Sequence, residues 1–522
     1  MRQPRYFVGL HSHSTYSTFD AIGTPQDHID FAIENGMDSL ALTDHGNMNG
    51  FSHQYLHSKK IAEKGIKFKP IFGVEAYFVP DLKKWSEIYQ ELKKQKNKKE
   101  EEIEEASEED TEGGTIIEIE EESKNKDNNK KEINPFYDRS HLVLLAKNNT
   151  GLKSIFRLVS ESYIHGFYRY PRIDFELLRK HANGNIVATT ACLAGYPGKI
   201  IFGNQNNEQK IQVLLKEMVE TFWSILGKDN FFLEIQFNKI PEQHFLNKQL
   251  ITCSLLTGCP LVVTVDAHYH KPEYWREREI YKLIGKMQTF KEIVKEQKEK
   301  IEKTIDELEC ELYPKNAEQL WKYYQNLKNS SEEYQFYDDN IVADAIERTY
   351  DIAHQLIGTV EPEKTVKLPS LQQIANIDHI DINVKSEDDY AFEYLKKLAI
   401  EGFHKRKLYK KPNYKEYIDR LELELNVIKT LKFSKYFITY HKIIEIIENH
   451  MLIGNARGSA GGSLLAYLLN ITQVDPIKYG LLFERFLTTK KKSFPDIDSD
   501  FADRDQAVKL LQKYFGSENV IP

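Results

Sequence analysis

Nine side chains of the kinds that bind metal ions recur in the first 270 residues of the 522-residue chain. His11 and His13 lie two residues apart, and Asp266 and His268 repeat that spacing. On a β-strand, side chains two residues apart point to the same face. Imidazole, carboxylate and thiolate groups together are ligands typical of zinc, manganese or iron. A lone His-x-His is weak evidence, but two such pairs with five further groups predict a multinuclear metal site. The five further groups are Asp20, His45, Glu75, His141 and Cys192.

Three aspartates alternate in the stretch "PDIDSDF" near the end of the chain: Asp496, Asp498 and Asp500. On an extended strand they would share one face, with neighbours about 6–7 Å apart. Like charges on one face are costly unless cations lie between them. The spacing therefore predicts a two-metal site of the kind used in phosphoryl transfer. A solvated acidic edge strand is the alternative.

A glycine-rich stretch, "IGNARGSAGGSLLAYLLNIT", lies upstream of these aspartates. Its small residues would let backbone N–H groups approach phosphate oxygens, and the N-terminus of the following helix would favour the negative charge. Arg457 adds a planar cation suited to a triphosphate. The stretch matches neither the P-loop nor the Rossmann pattern. A turn that merely packs a helix is the alternative, and the nearby aspartates favour phosphate binding.

Short apolar runs alternate with helical patterns through residues 5–80. "RYFVGLHSH", "SLALTDHG" and "FKPIFGVEAYFV" are typical of strands, and "TPQDHIDFAIENG" and "GFSHQYLHSKKIAEKG" of helices. This alternation predicts βαβ units and a mainly parallel sheet. The predicted ligands fall at or near strand ends, where α/β barrels build their sites.

Residues 82–135 break the pattern. Between Glu100 and Glu122 the chain holds 13 acidic residues and no basic ones, and without that segment the net charge of −8 becomes +5. So few apolar residues cannot offset the entropy of ordering, and we predict a largely disordered insertion with a solvated charge run. A tail that mimics DNA or binds a partner is the weaker alternative.

The alternation resumes after the insertion and ends near "VDAH", which predicts a first domain over residues 1–270. Residues 271–522 form the second: a charged helical connector around "FKEIVKEQKEKIEKTIDELECEL", then helices, the glycine-rich loop and the aspartates. The chain has no apolar run of membrane-spanning length and no signal peptide at its start. Four scattered cysteines are typical of a reducing compartment, so we predict a cytoplasmic protein.

The motifs "HSHSTYSTFD", "LTDHGNMNG", "KPIFGVEAYFV", "HLVLLAKNNTG", "TTACLAG" and "VDAH" resemble those of a PHP (polymerase and histidinol phosphatase) domain. More narrowly, they resemble the PHP domain of bacterial DNA polymerase III alpha subunits. The resemblance implies a distorted (β/α) barrel and assigns the nine residues to a cluster of up to three ions, Zn²⁺ or Mn²⁺ or else Fe²⁺. The implied activity is metal-dependent 3′→5′ exonuclease proofreading.

The loop pattern G-x-x-R-G-S-x-x-G-S, "DPIKYGLLFERFL" and "PDIDSDF" resemble the palm domain of the same subunits. That resemblance implies an α+β nucleotidyltransferase-like domain, incomplete at its C-terminus, with Asp496 and Asp498 as the catalytic pair that binds Mg²⁺. Asp500 is less firmly assigned, and which of Lys490, Lys491 and Lys492 replaces a family arginine stays open. The expected nucleotide contacts are Arg457, Gly458, Ser459, Gly462 and Ser463.

The expected partners are a DNA primer-template, dNTPs, the sliding clamp and other replisome subunits, with no membrane. A third palm aspartate, the thumb and the fingers would lie beyond this sequence, so we expect the isolated chain not to extend a primer. A fragment and one half of a split polymerase both fit. Two other functions stay open: a stand-alone phosphoesterase of the histidinol-phosphatase type, and a PHP domain that only braces the palm.

Overall fold

The structure is a computed structural model that describes residues 2–107, 138–285, 304–377, 385–490, 493–517 and 519–520. Its chain forms two compact units, Met1–Glu363 and Lys364–Pro522. Among the residues described, no helix is both long and apolar enough to cross a membrane.

The first unit is built on an eight-stranded sheet with the order β4-β5-β2-β3-β6-β7-β8, and β1 pairs with β2 beside this path. The pairs β1–β2, β2–β5, β6–β7 and β7–β8 are parallel, whereas β3 runs antiparallel to both β2 and β6. The strands are β1 Ser39–Leu42, β2 Lys69–Phe78, β3 Ser140–Ala146, β4 Phe167–Tyr168, β5 Tyr170–Ile173, β6 Ile186–Thr189, β7 Phe231–Ile235 and β8 Leu261–Val263.

The segment that carries the first two histidines joins the two sides of the sheet. Gly9 forms a parallel bridge with Leu40 of β1, and Ser12 forms one with Ala267, just after β8. The predicted strand "RYFVGLHSH" is therefore present only as these bridges. Through them the sheet curls into a distorted barrel, which confirms the predicted fold class.

The reversed direction of β3 explains the position of one predicted ligand. Four of the nine residues, His45, Cys192, Asp266 and His268, follow the carboxyl ends of strands, but His141 lies at the start of β3. Because β3 is antiparallel to its neighbours, its first residues lie at the edge where β2 and β6 end, and His141 pairs with Tyr77 of β2. All nine residues can thus meet at one end of the barrel.

Helices cover the barrel, and their ends follow the sequence signals. Thr24 caps α1 in a reciprocal capping box with Asp27, with Pro25 at the first helical position. The helices are α1 Pro25–Glu34, α2 Phe51–Glu63, α3 Leu82–Ser107, α4 Asn149–His165, α5 Phe175–His181, α6 Tyr196–Phe202, α7 Glu208–Leu226, α8 Pro241–Thr257, α9 Trp275–Gly285, α10 Ala317–Lys328 and α11 Asp339–Asp351.

Residues 82–107 form α3, although the sequence predicts disorder from residue 82. Apolar side chains hold the start of α3 in place: Leu82 and Trp85 are buried in a small cluster with Val79. The buried Arg172 guanidinium lies 4.3 Å from the centroid of the Trp85 ring. Residues 108–137, which include most of the acidic run, lie outside the described residues.

The region after residue 270 packs within the first unit, whereas the sequence assigns it to the second domain as a connector. Leu320 and Tyr324 of α10 and Ile346 of α11 belong to the same core as strands β2, β3, β6 and β7. The Thr349 hydroxyl accepts a hydrogen bond from the Val8 backbone N–H, 3.0 Å away. Residues 286–303, the centre of the predicted charged helix, lie outside the described residues.

The second unit is helical in its described residues. A single antiparallel bridge, between Ile453 and Phe501, represents the β part of the expected α+β fold. Its core contains Leu395, Ile428, Phe437 and Leu464. The helices are α12 Leu371–Ala375, α13 Glu387–Lys405, α14 Tyr414–Leu431, α15 Ser434–Glu448, α16 Leu464–Leu468 and α17 Arg504–Phe515.

His28 on α1 should make the stability of the first unit depend on pH. Its ring is fully buried, and burial together with the neighbouring His270 lowers the pKa of His28 to about 3. Its unfolded-state pKa is about 6.5, so the unfolded chain binds the extra proton first as pH falls. The stabilising contribution is complete above about pH 6.5 and is lost as pH falls towards 3.

We therefore expect the free energy of unfolding to fall less between pH 7 and pH 5 in His28→Leu than in the wild type, by up to about 2 kcal/mol. All four tryptophans, Trp85, Trp223, Trp275 and Trp321, belong to the first unit, so urea unfolding of metal-free protein followed by tryptophan fluorescence measures this unit. His53→Leu, at an exposed position, is the control. Equal pH dependence in both variants would contradict the assignment.

Candidate functional site

The barrel end gathers all nine predicted ligands into one connected cluster. His11 and His13 lie on the bridging segment before β1, Asp20 lies in the loop after that segment, and the rest lie on strands or in the loops that follow them. Eight of the nine lie within 3.4 Å of another member through a nitrogen–oxygen contact, and Cys192 Sγ lies 3.7 Å from His141 Nδ1. They are His11, His13, Asp20, His45, Glu75, His141, Cys192, Asp266 and His268.

Glu75 lies at the centre of the cluster. Its Oε1 is 3.2 Å from His11 Nε2 and 3.0 Å from His141 Nδ1. Its Oε2 is 2.6 Å from His45 Nδ1 and 3.4 Å from His13 Nε2. One carboxylate of β2 therefore faces four imidazoles from different parts of the chain.

Two further carboxylates bridge other members of the cluster. Asp20 Oδ2 lies 3.0 Å from His45 Nε2 and 3.2 Å from His268 Nε2. Asp266 Oδ1 lies 3.2 Å from the Nε2 atoms of both His11 and His13. The donors thus form overlapping sets rather than one simple site.

Five buried atoms in the cluster make no well-oriented hydrogen bond, although N···O contacts of 2.6–3.4 Å join them: His11 Nε2, His13 Nε2, His45 Nδ1, Glu75 Oε2 and Asp266 Oδ1. Buried polar atoms are ordinarily hydrogen-bonded, because leaving one unpaired costs about 1–3 kcal/mol. In three groups of three residues, donor atoms lie within 4.8 Å of one another. The groups are His13 with His45 and His268, His11 with His13 and Glu75, and His45 with Glu75 and His141. Unpaired donors that share a centre are what divalent cations require.

The charges in the cluster are strongly coupled. Burial alone would lower the pKa of His45, but the Glu75 and Asp20 carboxylates raise it to about 10. Burial together with the neighbouring His45 and His268 instead holds the pKa of His13 well below its usual range. Burial and the nearby Glu75 and Asp266 raise the pKa of the Cys192 thiol. The carboxylates therefore favour positive charge in the cluster, and a metal ion would supply such charge.

Three charged residues outside the predicted set hold the ligands in place. The Arg278 guanidinium on α9 donates to Asp20 twice, to Oδ1 at 2.7 Å and to the backbone oxygen at 2.6 Å. Ser17 Oγ lies 3.1 Å from His13 Nδ1 and donates to the buried Asp44 carboxylate at 2.8 Å. The third is Glu234 on β7, which lies 2.8 Å from His11 Nδ1. Its signal in the sequence is a lone acid inside the otherwise uncharged strand "FFLEI".

A cavity of about 990 Å³ adjoins the cluster. Cys192, Asp266 and His268 lie in its wall. The other charged side chains of the lining are Arg278, Lys282, Glu242, Glu279 and Glu309. Amide and apolar side chains complete the lining, including Gln236, Asn238, Phe202 and Leu193. The volume is at the upper end of ligand pockets in proteins and can hold a nucleotide beside the metal ligands.

In the second unit, the aspartates keep the alternation that the sequence predicts. Asp496, Asp498 and Asp500 are exposed while Ile497 between them is buried. The segment is extended but belongs to no sheet, and the Tyr440 hydroxyl fixes it by donating to the Ile497 carbonyl oxygen at 2.7 Å. The three carboxylates therefore reach solvent on one side.

The glycine-rich loop lies directly against these aspartates. Arg457 Nη1 is 2.8 Å from Asp500 Oδ1, and the Gly454 N–H donates to the Asp500 carbonyl oxygen at 2.8 Å. A Cβ on Gly458 would lie 3.0 Å from Asp498 Oδ2, and the positive φ of +63° also favours glycine there. Loop and aspartates thus form one exposed polar surface.

Two of the expected nucleotide contacts lie in the interior instead. Gly462 and Ser463 are buried, whereas Arg457, Gly458 and Ser459 are exposed. The Ser463 hydroxyl and the Leu464 N–H donate at 2.8 Å to the Glu424 carboxylate, which is itself fully buried. The start of α16 is thus occupied by a carboxylate of the protein and does not face the aspartates as an open anion site. Lys490 is exposed, and Lys491 and Lys492 lie outside the described residues.

Comparison with protein families assigns both regions. Residues 9–238 match the family model of the PHP domain, and residues 393–522 match that of the bacterial DNA polymerase III alpha NTPase domain. The first unit therefore carries a PHP domain. The chain belongs to the family of bacterial DNA polymerase III alpha subunits and matches their N-terminal region.

Relatives align along nearly the whole chain. The DNA polymerase III subunit alpha of Aquifex aeolicus is 32% identical over 98% of this chain and 38% of its own length. The Helicobacter pylori subunit is 29% identical over 100% of this chain and 37% of its own length. The Borreliella burgdorferi subunit is 32% identical over 98% of this chain and 37% of its own length. The chain thus spans well under half the length of these relatives. Among solved structures, an amidohydrolase from Chromobacterium violaceum is 12% identical at a TM-score of 0.29, over 52% of this chain and 96% of its own, a score too low to establish a shared fold.

Proposed function

We propose that the first unit is a metal-dependent phosphodiesterase that removes nucleotides from the 3′ end of DNA. The observation that carries this proposal is the set of five unpaired buried donor atoms shared among nine ligand-type residues. Such an arrangement is costly in a metal-free core, because these buried atoms lack well-oriented hydrogen bonds. The set has room for up to three ions, with Zn²⁺ or Mn²⁺ favoured by its imidazole content and Fe²⁺ also compatible.

When bound, such ions supply electrostatic stabilisation of a phosphoryl group and an activated nucleophile. The protein supplies the remaining functions from its own side chains. Arg278 orients Asp20, and together with Lys282, which pairs with Glu279, it places two cations in the cavity lining that could approach a phosphate. Gln236 and Asn238 offer hydrogen bonds to a sugar or base. The size of the cavity favours a nucleotide over a smaller phosphate ester.

The test compares two substrates on the same protein, stripped with a chelator and reloaded with Mn²⁺ or Zn²⁺. We expect nucleotide release from a primer with a mismatched 3′ end, and hydrolysis of histidinol phosphate slower by roughly a hundredfold or more in kcat/KM, about 2.7 kcal/mol. Faster hydrolysis of the phosphomonoester would support a stand-alone phosphoesterase. Hydrolysis of neither substrate by fully loaded protein would favour a domain that only braces its neighbour.

We further propose that the second unit contributes to nucleotidyl transfer in a replicative DNA polymerase. Asp496 and Asp498 would bind Mg²⁺, and Arg457, Gly458 and Ser459 would contact the phosphates of the incoming dNTP. Support comes from the exposure of these groups on one surface and the contact of Gly458 with Asp498. Primer-template DNA, the sliding clamp and other replisome subunits are the proposed partners.

Asp498→Asn should weaken Mg²⁺-dependent binding of a dNTP by at least about tenfold, because the amide cannot balance the charge of a cation. Isothermal titration of the chain with dGTP, with and without Mg²⁺, measures the effect. Asp505→Asn is the matched control, since Asp505 is exposed in the same unit on α17. Equal losses in both variants would contradict a specific role for Asp498.

A further inference from the structure

Glu234 is a buried carboxylate beside the metal cluster that the ligand set does not include. It lies in the middle of β7, with about 1% of its surface exposed. Its Oε1 lies 2.8 Å from Nδ1 of His11, which is also fully buried. A charge so deep in the barrel requires an explanation, because an unbalanced buried carboxylate is costly.

Hydrogen-bond donors from three adjacent parts of the sheet surround this carboxylate. The Thr189 hydroxyl at the end of β6 donates to Oε2, and the Thr264 hydroxyl after β8 donates to Oε1. The Gln236 amide adds a bond of 3.0 Å to Oε1. These hydroxyl and amide groups all act as donors to the carboxylate, and a proton on the facing His11 Nδ1 would complete the set.

Glu234 itself does not complete the metal site. Both of its oxygens are engaged by protein donors, whereas Glu75 Oε2 and Asp266 Oδ1 are buried and unpaired. Glu234 also belongs to none of the groups whose donor atoms converge. The carboxylates therefore differ in role. Glu75 and Asp266 have oxygens available to bind a cation, whereas both oxygens of Glu234 accept hydrogen bonds from the protein.

We propose that Glu234 is a positioning residue that fixes both the orientation and the tautomer of His11. With the proton held on Nδ1, the lone pair of His11 is on Nε2, which lies 3.2 Å from both Glu75 Oε1 and Asp266 Oδ1. That atom is one of the five unpaired donors. A carboxylate behind a metal-binding histidine also raises the basicity of the ligand. The inference rests on the proposed metal site but not on the reaction proposed for it.

The experiment measures metal affinity rather than activity. The chain is stripped with a chelator, and Zn²⁺ binding is followed by competition with a chromophoric chelator. Glu234→Gln keeps the shape of the side chain but loses its charge and turns an amide N–H₂ towards the surrounding donors. We expect the affinity of the tightest ion to fall by about 10- to 100-fold.

Glu424→Gln is the matched control. Glu424 is also fully buried and fully hydrogen-bonded, to Ser463, Leu464, Leu465 and Arg420, but it lies in the other unit. The Glu424→Gln variant should be less stable than the wild type but should bind Zn²⁺ with unchanged affinity. The absorption spectrum of Co²⁺-loaded protein adds a readout that a merely structural role would not move, and only Glu234→Gln should alter it.

Zn²⁺ affinity within twofold of the wild type in Glu234→Gln would overturn the proposal, as would an equal loss in Glu424→Gln. Should Glu234→Gln not fold, Thr264→Val replaces it, because this change keeps the carboxylate and removes one donor. A loss of at least about threefold in affinity then supports the proposal, and a smaller loss overturns it. Normal metal binding without hydrolysis would contradict the proposed nuclease and leave the role of Glu234 intact.

Discussion

Replacing Glu75 by glutamine is expected to reduce metal-dependent release of the 3′ nucleotide by roughly a thousandfold or more. Both Glu75 oxygens face imidazoles, at distances of 2.6–3.4 Å, and Oε2 is unpaired. Glutamine has nearly the same volume but replaces an anionic oxygen with an N–H₂ group, which repels a cation. Loss of an ion that contributes several kcal/mol to the transition state corresponds to about three orders of magnitude in rate.

The measurement pairs the rate of nucleotide release with the metal content of the purified protein. Glu161→Gln is the control, because Glu161 also pairs with a histidine, His181, 2.7 Å away but outside the cluster. We expect that variant to keep both rate and metal. Activity of Glu75→Gln within tenfold of the wild type would show that hydrolysis occurs elsewhere. Two results together would support the alternative in which the PHP domain only braces the palm. The wild type would bind metal without hydrolysing DNA, and Glu75→Gln would lower only the melting temperature.

The ligand residues could be predicted from sequence because each is a metal-binding side chain beside a strand end, and pairs such as His11 and His13 carry a fixed spacing. Their supports could not, because Glu234, Arg278 and Asp44 act across long sequence separations. Arg278 meets Asp20 258 residues away, a contact for which a single sequence holds no periodic signal. Only the lone acid of β7 leaves a trace, as a charge within a buried strand.

The direction and pairing of strands were harder to predict from the sequence than the presence of the strands. The pattern of β3 is that of any buried strand, and nothing in it reveals that the strand runs antiparallel, although this places His141 at the site. The alternation of "PDIDSDF" predicts which side chains face solvent, and the structure agrees for Asp496 and Ile497. That alternation cannot reveal whether a neighbouring strand is present, and the structure shows one bridge at Phe501.

Helix α10 shows why the end of the first domain is difficult to infer. A charged segment precedes it, which in sequence is typical of a boundary. Its own apolar face nevertheless packs on the barrel: Leu320, Trp321, Tyr324 and Leu327 are buried in the core that contains the strands. Hydrophobic periodicity predicts that a helix has a buried face but does not identify the surface that covers it.

Trp321→Ala should therefore destabilise the first unit by about 3–5 kcal/mol, the range for removing a large aromatic side chain from a core. Trp321 is 9% exposed, and its ring centroid lies 5.1 Å from that of Tyr324. Urea unfolding followed by the three remaining tryptophans, all in the first unit, measures the effect. Lys322→Ala, at the exposed neighbouring position on the same helix, is the control and should change stability by less than about 0.5 kcal/mol.

If Trp321→Ala lowers the free energy of unfolding by less than about 1 kcal/mol, α10 does not belong to the barrel core, and the first domain ends near residue 270 as the sequence predicts. A loss of the expected size instead means that residues 317–351 fold with the barrel and help to hold the metal-binding end in place.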